Sequence, residues 1–184
     1  MDSLTLLTTR RSNKKLIAPA PNKEQLETMF KAALHVPDHG HLQPYRFFVL
    51  ESEKLERLSN LLKNAVIELN LDEKLLKKAE SFTTRTPMII AVVSHVTENI
   101  AKVPAYEQEL TAGCAAYAIQ LAANSMGFDN VWVTGPWIQG TKIREAFHCR
   151  SQDKIIGLIM IGTAENKNLL EVKKININQV VCEF

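Results

Sequence analysis

No Gly-x-Gly occurs anywhere in the chain. The seven glycines stand at 40, 113, 127, 135, 140, 157 and 162, and no two are separated by one residue. That excludes the Rossmann fingerprint and the Walker A loop, which need closely spaced glycines so that backbone can reach a phosphate. A conventional dinucleotide-binding dehydrogenase also needs two domains, and 184 residues is the length of one. Cysteine is scarce. Cys114, Cys149 and Cys182 are odd in number and far apart, so a disulfide framework and a C-x-x-C motif are both excluded. Charge of one sign is lacking. The net charge of +2 is too balanced to argue for nucleic acid or an anionic membrane. No apolar run approaches the roughly 18 residues of a membrane helix. The start, Met1-Asp2-Ser3-Leu4, has neither the charged nor the apolar region of a signal peptide. The expectation is a soluble, reduced, cytoplasmic protein with no nucleic-acid or membrane partner.

What is present is globular: 46% hydrophobic with 23% charged residues leaves enough of each for a core and a solvated surface. One domain over 1–184 is expected, with no repeat or linker. Residues 2–10 form a short helix with Leu4 and Leu7 on one face. Ala18-Pro19-Ala20-Pro21 is an extended connector, because each proline pushes its predecessor out of helical geometry. Asn22 caps the next helix, with Gln25 completing a capping box. Leu26, Met29, Phe30, Ala33 and Leu34 follow at helical spacing until Pro37. A strand is predicted over 45–50, helices over 53–70 and 72–80, and a central strand over Met88–Ser94, a continuous apolar run. The longest helix runs from about Pro104 to Met126 and ends at Gly127. Its middle is apolar all round, which predicts burial all round. Strands over Asn130–Thr134 and Lys154–Ile161 flank a short helix over Thr141–His148. The tail, about 170–184, turns apolar at Val180-Val181, which suggests docking onto a partner. The fold class is α+β: a mixed, mainly antiparallel sheet surrounded by helices.

Hydrolase motifs are absent: there is no G-x-S-x-G and no H-E-x-x-H. His35, His39 and His41 with Asp38 raise a metal reading. Pro37 breaks the helix face that His35 and His39 would share, and zinc wants three or four converging ligands. No metal is therefore expected. The stretch is either a polar loop or a loop whose imidazoles hydrogen-bond an organic cofactor. Arg10-Arg11-Ser12 offers many donors in a small space, suited to a phosphate or an electron-rich ring edge. The same residues suit a solvated helix end, where cations complement the dipole.

Arg10-Arg11-Ser12, Pro37, Gln43-Pro44, Phe47 and Val49 together resemble the nitroreductase family of FMN flavoproteins. The Pro37-Asp38-His39 loop, Lys102-Val103-Pro104, Tyr106-Glu107-Gln108-Glu109, Ala112-Gly113-Cys114, Arg144-Glu145-Ala146-Phe147 and Gln152-Asp153-Lys154-Ile155 are similar to its short YdjA-type subgroup of NAD(P)H nitroreductases. Leu42 stands where Asn is common, and Tyr45 where Trp is common. The resemblance runs from Met1 to about Thr163.

The resemblance implies a three-layer α+β sandwich working as a homodimer, with FMN at the subunit interface. Arg10, Arg11 and Ser12 would bind FMN from one subunit, and His35 and His39 from the other. Gln43 would lie near the ring. Trp132, Val133, Thr134 and Gly135 align with a stretch that contacts FMN, with Val133 in place of an arginine. Val131–Val133 can equally be a buried strand end. Ala122, Ala123, Asn124, Ser125, Met126 and Gly127 align with a stretch assigned to NAD(P). A helix C-terminus presents carbonyls, a poor seat for a pyrophosphate, so a plain helix cap serves as well. Small residues around Gly113 would pack the dimer. By the same resemblance, NADH or NADPH would reduce FMN, leave, and let an electron-poor acceptor such as a nitroaromatic or a quinone follow, in ping-pong order. The cofactor carries that chemistry, so no catalytic side chain is implied. The alternative is a protein that holds flavin or another ligand on this scaffold with little turnover.

Overall fold

Apolar β-branched runs become the sheet, and the helices cover its two faces. The computed structural model describes residues 2–166 and 176–183. The elements in chain order are α1 (Ser3–Thr9), β1 (Leu16–Ile17), α2 (Lys23–Ala33), β2 (Tyr45–Glu51), α3 (Glu53–Glu68), α4 (Glu73–Phe82), β3 (Met88–Ser94), α5 (Ala105–Ser125), β4 (Asp129–Val133), α6 (Thr141–Ala146) and β5 (Ile155–Ala164). Every described pairing is antiparallel. β3 lies between β2 and β5, and all seven of its residues are buried, as its unbroken apolar run predicts. The long β5 also pairs with β4 (Val133↔Leu158 to Asp129↔Gly162) and with β1 (Leu16↔Ala164). β1 is not predicted by the sequence. Two residues carry no periodicity, and only the pairing to β5 makes them a strand.

Alternate side chains of the sheet feed two cores, which makes three layers. On one face Ile89, Ala91, Val93, Leu158 and Met160 meet α3, α4 and Trp137. On the other, Ile90, Val92, Ile159 and Ile161 meet α2 and α5. Each such buried aliphatic side chain contributes roughly 1.5–3 kcal/mol. The caps set the helix positions. Asn22 and Gln25 form the reciprocal capping box at α2. α2 stops at Ala33, ahead of Pro37, and leaves His35 in the turn beyond it.

α5 corrects one expectation. Ala112, Ala115, Ala116, Ile119 and Ala123 are buried against the sheet, but Leu110 is 64% and Tyr117 38% exposed, and Cys114 beside them is exposed. The helix is apolar all round, yet one stripe of it is bare. Gly113 does not face that stripe. A Cβ there would meet the Trp132 ring of the same chain at 3.8 Å, so its smallness serves packing within the subunit. α1 has no buried residue, and Leu4 and Leu7 are exposed. Residues 170–175 and 184 of the expected apolar tail lie outside the described residues. Ile177, Val180 and Val181 are exposed. No helix among the described residues is long and apolar enough to cross a membrane.

Candidate functional site

The arginine segment is anchored by its neighbour Asn13. Asn13 donates its backbone N–H to the Asn130 carbonyl at 3.0 Å, and its side-chain amide to Asp129 at 2.8 Å. This seats Arg10, Arg11 and Ser12 beside the start of β4. Asn130 is held in turn by a reciprocal pair of bonds with Gln120 of α5. The Arg10 guanidinium stands 6.0 Å from the centre of the Tyr117 ring on the bare stripe of α5. Its Nη1 is buried and has no hydrogen-bond partner among the described residues. A buried cationic donor left unmatched is costly, and in native structures it usually marks a missing partner.

The histidine loop is built by Asp38. Its carboxylate accepts the backbone N–H of Leu42 at 3.2 Å and of Gln43 at 2.8 Å, and its carbonyl accepts that of His41. These bonds hold Gly40, His41 and Gln43 at φ of +77°, +53° and +47°. Left-handed backbone at two non-glycine residues is strained, and such strain gathers where a loop must present groups in a fixed way. Thr111 of α5 donates to the Pro37 carbonyl at 3.1 Å, and Glu107 accepts from His39 Nδ1 at 2.8 Å. The loop is therefore tied to the N-terminal half of α5. His35 and Gln43 line one pocket of ≈ 440 Å³ together with Pro37, Asp38, His41 and Tyr45. His35 directs Nδ1 to the Lys31 carbonyl at 2.7 Å. Burial, then the Asp38 charge, pushes the Tyr45 phenol above its ordinary range, so it stays neutral.

Behind this loop lies a charged support. Asp153 is buried and accepts from Val96 N–H, Arg150 N–H, Arg150 Nε and Arg150 Nη2, all at 2.9 Å. Burial alone would raise its pKa, but the Arg150 and Val96 bonds outweigh that and hold it below the usual carboxylate range. The neighbouring His95 donates its backbone N–H to the Pro44 carbonyl, and Arg46 donates to the Gln43 carbonyl. Burial, with Arg46 and Arg150 nearby, lowers the His95 pKa.

The arginine and histidine groups are not brought together within one chain. Arg10 lies at Tyr117 and His39 at Glu107, ten residues apart on α5 or ~15 Å by helical rise. Trp132 lies between them on the sheet side. Its Nε1 donates to the Ile156 carbonyl at 3.2 Å, and its ring lies over Gly157, where any Cβ would collide with it. Its polar atom is used inside the chain. Val133 packs, half-buried, against the opposite core, Gly135 is half-buried too, and Thr134, past the strand end, is the exposed residue of this stretch. The segment from Ala122 to Gly127 is a helix cap. Ser125 Oγ and Met126 N–H donate to the Ala122 carbonyl, and Asn124 donates to the Phe128 carbonyl. The donors that could receive a phosphate are committed to the helix end. Among the described residues no group of acids, histidines or cysteines could hold a metal. Sequence reasoning missed Asp38 as the organiser of the loop, Tyr117 under Arg10, and Glu107 against His39. Only Asp38 had a local signal, an acid a few residues ahead of the amides it bonds.

Comparison with known proteins agrees with the geometry. The model of the nitroreductase family matches residues 7–163. A Haemophilus influenzae protein named "Putative NAD(P)H nitroreductase" is 56% identical over 181 residues, 98% of each chain. Escherichia coli K12 YdjA, which carries the same description, is 45% identical over 167 residues, 91% of each. Among solved structures, the Bacillus cereus nitroreductase-like protein superposes with a TM-score of 0.82 at 19% identity, over 100% of this chain and 96% of that one. A Bacteroides fragilis nitroreductase, solved with bound FMN, gives 0.80 at 19% identity, over 100% of both. At these identities the structures speak for the fold, and the sequence matches speak for the family. The family match over most of the chain and the two relatives thus give one assignment for this three-layer antiparallel sheet: the chain belongs to the nitroreductase family.

Proposed function

We propose that this chain is an FMN oxidoreductase that works as a homodimer, takes electrons from NADH or NADPH, and passes them to an electron-poor acceptor such as a nitroaromatic or a quinone. The observation that carries the reading is Arg10 Nη1, a buried cationic donor with no partner of its own. It fits an anionic or carbonyl-rich cofactor. Arg11 and Ser12 beside it add donors to the same place. The reading puts His35, His39 and Gln43 on the flavin from the partner subunit, because the histidine loop of the same chain stands ~15 Å away along α5. The bare apolar stripe of Leu110, Cys114 and Tyr117, with Leu4 and Leu7 of α1, supports a second copy as the covering surface. The exposed Ile177, Val180 and Val181 add apolar surface that a second copy would cover.

When bound, FMN supplies the hydride and electron transfer. The chain's residues bind it, orient it and leave one face open. Arg10 and Arg11 supply positive charge, which favours a flavin carrying negative charge after reduction. Gln43, its backbone held at a left-handed φ by Asp38, would offer its side-chain amide to the ring from that loop. Donor and acceptor occupy the open face in turn. The donors of Ser125, Met126 and Asn124 are used within the helix end, which supports a nicotinamide donor that binds only transiently.

The test is to add FMN to flavin-free protein and then NADH or NADPH without oxygen. One FMN per subunit, bleached by either donor, is expected. Protein that takes up no FMN would refute the reading. FMN bound but bleached by neither donor would favour a flavin-binding protein with little turnover.

A further inference from the structure

The Tyr106-Glu107 pair opens α5, outside the groups assigned to the flavin. Glu107 sits in the first turn of that helix, where the dipole favours a negative charge. One carboxylate oxygen meets His39 Nδ1 at 2.8 Å and the other accepts the Tyr106 hydroxyl at 3.2 Å. The His39 bond, and the Tyr106 bond after it, hold Glu107 below the usual carboxylate range. An ionised carboxylate can only accept, so the proton of His39 must be on Nδ1. Nε2 has no partner among the described residues, and the His39 side chain is 60% exposed. The backbone below is fixed as well: Thr111 ties Pro37 to α5, and Gly40 sits so close to Val103 that a Cβ there would meet its Cγ2 at 3.2 Å. Both ends of the imidazole are thereby determined. This is the arrangement by which a carboxylate sets the tautomer and direction of a working histidine.

We propose that Glu107 is a positioning residue for the flavin site, holding the His39 ring with its proton on Nδ1 so that Nε2 is the atom offered to the cofactor. The proposal rests on the reading that His39 contacts FMN. Nε2 then accepts a hydrogen bond while His39 is neutral and donates one when it is protonated.

Two measurements test this separately. Nitrogen NMR of the histidine rings in flavin-free protein should show His39 carrying its proton on Nδ1. Glu107→Ala should shift it to the Nε2-protonated form that free imidazole prefers, and Glu107→Gln, which can still accept, should largely restore Nδ1. FMN titration then forms a double-mutant cycle. Glu107→Ala and His39→Ala should each weaken FMN about tenfold, and the double variant should be no weaker than His39→Ala. A His39 tautomer that does not respond to Glu107→Ala would overturn the proposal, as would additive losses of affinity. If His39→Ala leaves FMN affinity unchanged while the tautomer still follows Glu107, the failure belongs to the placement of His39 on the flavin.

Discussion

Arg10→Ala should leave stability nearly unchanged while weakening binding. In the free protein the Nη1 donor is buried without a partner, a penalty of about 1–3 kcal/mol that the truncation removes. Against that, the substitution loses the contact with Tyr117, at 6.0 Å from the ring centre, worth about 0.5–1 kcal/mol at a partly exposed site. It also loses some buried stem. The net change in unfolding free energy of the flavin-free protein should therefore lie within ~1 kcal/mol of zero, on either side. Binding should behave differently. A charged hydrogen bond to the cofactor is worth about 1.5–3 kcal/mol, so FMN affinity should drop about 10- to 150-fold. Urea denaturation of flavin-free protein measures the first quantity and flavin fluorescence quenching the second. Arg10→Lys should recover only part of the affinity, since an ammonium is a point charge without the guanidinium fork. Unchanged FMN affinity, or a loss of more than ~2 kcal/mol in flavin-free stability, would show that Arg10 is a structural residue with no role at the cofactor.

Asp153→Asn should cost about 2–4 kcal/mol at neutral pH, because it turns amide donors toward the Arg150 donors that the carboxylate now accepts. The folded pKa of Asp153 is depressed, so its contribution is present above the unfolded value near 3.8 and fades as pH falls through the folded value. Denaturation at a series of pH values should show the gap between variant and parent narrowing below about pH 4, and a gap independent of pH would contradict the assignment. Leu110→Glu places a charge on the bare stripe of α5, where Leu110 is 64% exposed in the single chain. Sedimentation should find it monomeric and poor in FMN, with its fold intact by circular dichroism; a stable flavin-loaded dimer would mean the stripe is not the subunit contact.

Much of the fold is legible in local signals. The capping box of Asn22 and Gln25, the left-handed Gly127 after α5 and the apolar run of β3 each settle their element within a few residues. What escapes are features set by distant partners. β1 exists only through Ala164 and Thr163 of β5. Trp132 reads as a candidate ligand contact, but its nitrogen is taken by Ile156 and its ring by Gly113 and Gly157. An all-round apolar helix carries no information about which side meets its own sheet. The bare stripe of α5 therefore emerges only once the alanines are seen against β3 and β5. The site divides the same way. Arg10-Arg11-Ser12 stands out as a motif, while the 68-residue separation between His39 and Glu107 hides their contact.

In the proposed dimer each flavin is held by arginines of one subunit and the histidine loop of the other. Subunit exchange between Arg10→Ala and His39→Ala proteins tests this directly. If the site is shared across the two-fold, a mixed dimer carries both lesions in one site and none in the other. Titration of the exchanged mixture should then reveal a fraction of sites with the parent's FMN affinity that neither variant shows alone. If each site lies within one chain, every site keeps one lesion, and no tight binding appears at any mixing ratio.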